Sequence, residues 1–145
     1  METVQQAGMV RFFGPLIVAK HAARTLPKSP ASSITLTTGA VSERPMPNWA
    51  VVGSFATALH GMTRGLALDL KPIRVNIVSP GAVETPLWAG MIQEAFEEMK
   101  KGMESRMTTG RFGKPEDVAE AYLYLLKDQN VSGSCVSTNG GFLLI

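Results

Sequence analysis

The stretch Lys71–Trp88, KPIRVNIVSPGAVETPLW, decides the fold. Ile73 to Val78 is a largely apolar run, closed by Ser79-Pro80-Gly81. A short run of this kind fits a strand covered on both faces, as strands of a parallel sheet are. Immediately before it lies NWAVVGSFATALHGMTRGLALDL, residues 48–70, which predicts a long apolar helix over about Trp49 to Leu70. A helix delivering the chain to a buried strand is the second half of a strand–helix–strand crossover.

The rest of the chain repeats this alternation. Thr3 to Leu26 places Met9, Phe12, Leu16, Ala19, Ala23 and Leu26 at helical spacing. Gly14-Pro15 interrupts that helix and predicts a kink, and Pro27 and Pro30 stop it. Ile34 to Thr38 is a β-prone run that opens after SPASS and ends at Gly39. The turn-rich loop GAVSERPMPN follows. Beyond Trp88, Glu84 to Arg106 reads as loop plus helix, with Glu97 and Lys101 spaced for a surface pair. GKPEDVAEAYLYLLKD is a further helix with Pro115 in its first turn and Glu116 and Asp117 at its positive end. Ser134 to Thr138 is a last strand before Gly140-Gly141. The pattern predicts an α/β layered fold with three parallel strands, at about 34–38, 73–78 and 134–138, flanked by helices. No G-x-G-x-x-G cluster follows a strand. Gly53, Gly61 and Gly65 fall inside a helix pattern and read as close packing points.

Composition excludes several classes. The 145 residues are 45% hydrophobic and 18% charged, which suits one folded globular domain. The net charge of +2 is scattered and forms no basic stripe, so nucleic acid is not an expected partner. Apolar runs break within about ten residues, short of the roughly 20 a bilayer crossing needs. No secretory leader pattern opens the chain. Cys135 is the single cysteine, so a reducing, cytoplasmic setting is expected. Its β-like surroundings predict a buried structural thiol rather than a nucleophile. His21 and His60 have no second histidine or carboxylate at a metal-ligand spacing, so each reads as a surface or interface side chain and no metal is expected.

Four segments carry a family resemblance. KPIRVNIVSPGAVETPLW resembles the segment of short-chain dehydrogenase/reductases in which a strand ends in P-G-x-x-x-T. RFGKPEDVAEAYLYLL is similar to that family's R-x-G-x-P-E-(D/E)-V-A helix, VSGSCVSTNGG to its closing strand, and VRFFGPLIVAKHAARTLP to its V-N-x-x-G helix. Nearly the whole chain is covered, in order. The resemblance implies a single domain over 1–145 that is the C-terminal half of a Rossmann fold, without the glycine-rich cofactor-binding part. It seats the family's active site as well. The Asn position falls at Arg11, the Ser position at Gly39 with Thr38 beside it, the Tyr at Val52 and the Lys at Ala56.

Val52 has no proton to give and Ala56 no charge, so the resemblance implies redox activity that is weak or lost. General acid catalysis is typically worth about 10²- to 10⁴-fold. Tyr122 and Tyr124 lie in a later helix. Thr38 offers a hydroxyl. Arg11 offers a guanidinium that would grip a carboxylate, a phosphate or a polarised carbonyl, unless it is an ordinary surface arginine or pairs with Glu43. Pro80, Gly81, Val83 and Thr85 match the part of the motif that meets NAD(P) in the family, or else preserve a turn. Trp88, Met91, Phe96, Met99 and Met103 form either a substrate lid or a helical apolar stripe. The resemblance is nearest to degenerate members of fungal natural-product pathways. In the family, helices matching 3–26 and 49–70 pair with their copies, and Ala50, Ala56, Ala58, Gly61, Gly65 and Ala67 are small enough for that approach. The alternative to an enzyme is thus a non-catalytic protein acting through association with itself or a full-length relative.

Overall fold

A computed structural model describes residues 2–145. Three parallel strands form one sheet in the order β1-β2-β3: β1 Ser33–Thr37, β2 Arg74–Pro80 and β3 Cys135–Thr138. Ser33 pairs with Arg74 and Thr37 with Val78; on the other side Ile77 pairs with Cys135 and Pro80 with Thr138. Residues Ile73 to Ser79 are buried, which is why that segment needs no polar face. As the central strand, β2 is covered on both sides.

One face of the sheet carries α3 Ala50–Asp69 and α2 Gly14–Thr25, and the other carries α5 Pro115–Lys127. Ala19, Leu59, Ile34, Leu36, Val75 and Ile77 make the first core, and Val78, Ala121 and Leu125 the second. Alternation along β2 sorts them, with Ile77 facing α3 and Val78 facing α5.

The kink expected at Gly14-Pro15 takes a definite form. Between α1 Glu2–Gly8 and α2 lies a π-helical turn, Met9–Phe13, in which the Gly14 N–H donates to the Met9 carbonyl five residues back. Pro15 has no N–H to continue the α ladder, so the wider turn bridges the gap. The helix α4 Gln93–Glu104 packs through Phe96 into an aromatic cluster with Trp88 and Phe112, with ring centroids 6.1 to 6.2 Å apart.

Three expectations are corrected. Cys135 is exposed, because β3 is an edge strand and its α3-side face extends past the helix that covers Ile77. Gly61 and Gly65 are not close packing points among the described residues: a Cβ at either would meet open space. The Glu97–Lys101 pair does not form among the described residues. Glu97 instead accepts from the Gln93 amide at 3.0 Å, and Lys100 bridges to Glu84 at 2.8 Å.

Candidate functional site

In open parallel sheets the ligand crevice lies beyond the carboxyl ends of the strands. Here that rim is built by the residues following β1 and ending β2. The Thr38 N–H donates to the Val78 carbonyl at 2.9 Å, carrying the pairing one residue past β1. Gly39 continues in extended conformation, and a Cβ there would come 3.7 Å from the Pro80 carbonyl oxygen. Thr38-Gly39 and Pro80-Gly81 therefore stand side by side. Ser79, at the end of the buried run, has a hydroxyl without a hydrogen-bond partner among the described residues.

The helix α3 closes over this rim. Thr38 Oγ1 donates to the Ala56 carbonyl at 2.8 Å. That bond ties Thr38 to α3 and commits the hydroxyl's only proton to the helix backbone. The loop after β1 is laced to α3 as well: Thr57 Oγ1 donates to the Ser42 carbonyl at 2.8 Å, and Ser42 Oγ lies 2.9 Å from His60 Nε2. Val52 and Ala56 are half-buried on α3. The Tyr122 phenol meets the residue before Thr38, 2.6 Å from Thr37 Oγ1. Successive strand residues point to opposite faces, so this phenol lies on the α5 side of the sheet while Thr38 Oγ1 points to α3.

Arg11 is exposed in the π-helical turn and makes no hydrogen bond or ion pair among the described residues, Glu43 included. The open cleft beside the site has a volume of ≈ 540 Å³ and runs between the loop after β1 and the first turns of α3. Glu43, Met46, Trp49, Gly53 and Thr57 line it; Arg11, Thr38, Val52 and Ala56 do not.

The loop leaving β2 is held by its own contacts. The Gly81 N–H donates to the Thr138 carbonyl at 3.0 Å, and a Cβ on Gly81 would come 2.8 Å from Asn139 Cα, so only glycine lets the two backbones approach. Val83 bridges to Gly113, and its carbonyl accepts the Trp88 indole N–H at 2.7 Å. Thr85 precedes the short 3₁₀ turn Pro86–Trp88. Trp88 and Phe96 thus belong to the packed aromatic cluster, with Met99 and Met103 half-buried and Met91 exposed beside it.

Sequence reading missed one assembly. Glu43, His60 and Cys135, from the loop after β1, from α3 and from β3, bring ligand atoms within 4.8 Å of one another. Burial comes first among the influences that raise the Cys135 thiol above its ordinary pKa, with a hydrogen bond from Ser137 opposing it. No spacing rule along the chain joins these residues, since the parallel sheet alone makes them neighbours.

A parallel sheet with helices on both faces defines an α/β layered protein. Comparison with known proteins gives the family: the profile of the SDR-like Rossmann domain matches residues 1–145, and the chain belongs to the short-chain dehydrogenase/reductases. The short-chain dehydrogenase/reductase fsr5 of Gibberella fujikuroi is 46% identical over 145 residues, 99% of this chain and 55% of the relative. The short-chain dehydrogenase/reductase malC of Malbranchea aurantiaca is 42% identical over 144 residues, 99% of this chain and 54% of that protein. The solved MalC reductase/Diels–Alderase from Malbranchea aurantiaca superposes with a TM-score of 0.95 at 42% identity, over 100% of this chain and 56% of that one. A small-chain dehydrogenase solved in complex with NADPH superposes with a TM-score of 0.93 at 34% identity, over 98% and 64%. The chain spans about half the length of the curated relatives it matches. No helix among the described residues is long and apolar enough to cross a membrane.

Proposed function

We propose that this chain is the C-terminal half of a short-chain dehydrogenase/reductase linked to fungal secondary metabolism, and that its carbonyl-reducing activity is weak or lost. The observation that carries the reading is the hydrogen bond from Thr38 Oγ1 to the Ala56 carbonyl. Where the family holds a lysine and, one turn earlier, a tyrosine, this chain presents Ala56 and Val52, and the adjacent hydroxyl is turned into the helix. A carbonyl oxygen brought to this rim meets no phenol and no ammonium group.

Of the residues in this chain, Pro80, Gly81, Val83 and Thr85 would meet the family's dinucleotide, on a loop held at the carboxyl rim by the Trp88 indole bond to the Val83 carbonyl and by the close approach of Gly81 to Asn139. Any surviving chemistry falls to Arg11 and Thr38, binding and polarising a small-molecule substrate. For Thr38 this requires exchanging the Ala56 carbonyl for the substrate. Incubating the chain with NADPH and a panel of ketones tests the proposal: turnover at ordinary enzyme rates, on the order of 1 s⁻¹ or more, would refute it.

A second reading is favoured by the surface of α1, the π-helical turn and α2. Val10, Ile17 and Val18 are 78%, 59% and 66% exposed, and Met9 and Phe13 lie open beside them. Contiguous exposed apolar residues mark interaction surfaces. On this reading the chain associates through helices 3–26 and 49–70 with a second copy or a full-length relative, and Gly61 and Gly65 give the partner room. Light scattering and co-purification with a relative decide it; a monomer with no affinity for a relative sinks this reading.

A further inference from the structure

We propose that Glu43, His60 and Cys135 form a binding site for a divalent ion of the zinc class, separate from the family's redox chemistry. The three donors come from three different segments, and their ligand atoms already lie within 4.8 Å of one another. A carboxylate, an imidazole and a thiolate suit zinc, whereas magnesium and calcium take oxygen donors. Zinc distances are about 2.0 Å to nitrogen or oxygen and about 2.3 Å to sulfur, so the donors must draw in from their present separations of up to 4.8 Å to close around an ion.

The surroundings already support the imidazole. Ser42 Oγ lies 2.9 Å from His60 Nε2, and Ser42 is itself anchored where its carbonyl accepts from Thr57 Oγ1. In the proposed site Nδ1 would take the ion and Nε2 would keep Ser42, since metal-bound imidazoles characteristically have their other ring nitrogen held by an outer partner. Glu43 and Cys135 are exposed and His60 is half-buried, so an ion has a path in.

Three protein ligands leave the fourth tetrahedral position to water or an added ligand. Binding displaces the thiol proton into solvent and leaves the sulfur as thiolate, so affinity falls as pH falls. Structurally, the ion would clip α3 and the loop after β1 to the edge strand β3.

The test uses the 145-residue chain under a non-chelating reductant, with far-ultraviolet circular dichroism recorded on every sample. Titration with Zn²⁺ by calorimetry is expected to give one ion per chain. Co²⁺ is expected to give a thiolate-to-cobalt charge-transfer band and the visible bands of tetrahedral cobalt. Cys135→Ser should remove the charge-transfer band. His60→Gln and Glu43→Gln should each weaken Zn²⁺ at least about tenfold, and His21→Gln should not. The proposal is overturned if helical wild-type chain binds no Co²⁺ through sulfur, if Cys135→Ser keeps the band, or if either His60→Gln or Glu43→Gln binds as tightly as wild type.

Discussion

Arg74 offers the sharpest test of how the sheet is held. It opens β2, is 3% exposed, and forms no ion pair among the described residues. Its guanidinium instead donates to three carbonyls: Nε to Pro30 at 2.6 Å, one terminal nitrogen to Leu125 at 2.7 Å and the other to Leu126 at 3.1 Å. Leu125 and Leu126 lie in the last turn of α5, where carbonyls have no intrahelical donor and where a cation also opposes the negative end of the helix. Arg74→Met keeps the stem and removes every donor. A buried charge-assisted bond is worth about 1.5–3 kcal/mol, and the buried Leu125 carbonyl would keep only the long 3.5 Å bond from Ser33 Oγ. The Pro30 and Leu126 carbonyls are only partly buried and recover some water. The expected loss is roughly 3–5 kcal/mol, a large share of the 5–15 kcal/mol typical of a domain. Arg74→Lys keeps the charge but cannot fork to three acceptors, and should fall between the two. Urea unfolding followed by circular dichroism measures both. If Arg74→Met shifts the unfolding free energy by less than about 1 kcal/mol, the capping argument is wrong.

Other changes have outcomes of comparable definition. Gly81→Ala places a Cβ 2.8 Å from Asn139 Cα, so the loop and the end of β3 must separate; a cost of about 1–3 kcal/mol in the same assay is expected. Trp88→Phe keeps an aromatic ring but leaves the Val83 carbonyl without its 2.7 Å donor, at a cost of about 1 kcal/mol, read as a lower melting temperature. Asp128 has its pKa lowered, first by the Asn130 backbone N–H. A depressed carboxylate contributes stability above its unfolded value, near 3.9, and loses it as pH falls through the folded value. Asp128→Asn should therefore be slightly less stable than wild type at neutral pH and converge with it below about pH 4, giving a flatter acid limb; parallel pH curves would contradict this.

The central strand was legible because burial on both faces writes itself as a largely apolar run: Ile73 to Val78 lies almost wholly within Arg74–Pro80. The helix predicted over Trp49 to Leu70 is Ala50–Asp69 for the same kind of reason, a sustained 3.6-residue apolar period. Cys135 misled because a short β-like run looks alike at the centre and the edge of a sheet, and only strand order tells them apart. Glu97 and Lys101 had the right spacing, yet Gln93 took the carboxylate. The cluster of Glu43, His60 and Cys135 is written nowhere along the chain, because its members meet through sheet order. Thr38 could be singled out from its place after the first strand, whereas its donation to the Ala56 carbonyl required coordinates.

The widened turn at Met9–Phe13 has a consequence for how the first helix tolerates change in length. It accommodates one residue beyond what a straight α path between Gly8 and Gly14 would use. Deleting a residue there would let the helix straighten while Gly8 kept its seat on the Phe55 ring. The same deletion within Gly14–Thr25 would swing everything before it by about 100° around the axis and carry Gly8 off that ring. Length variation in the leading helix is thus absorbed at one place and penalised elsewhere.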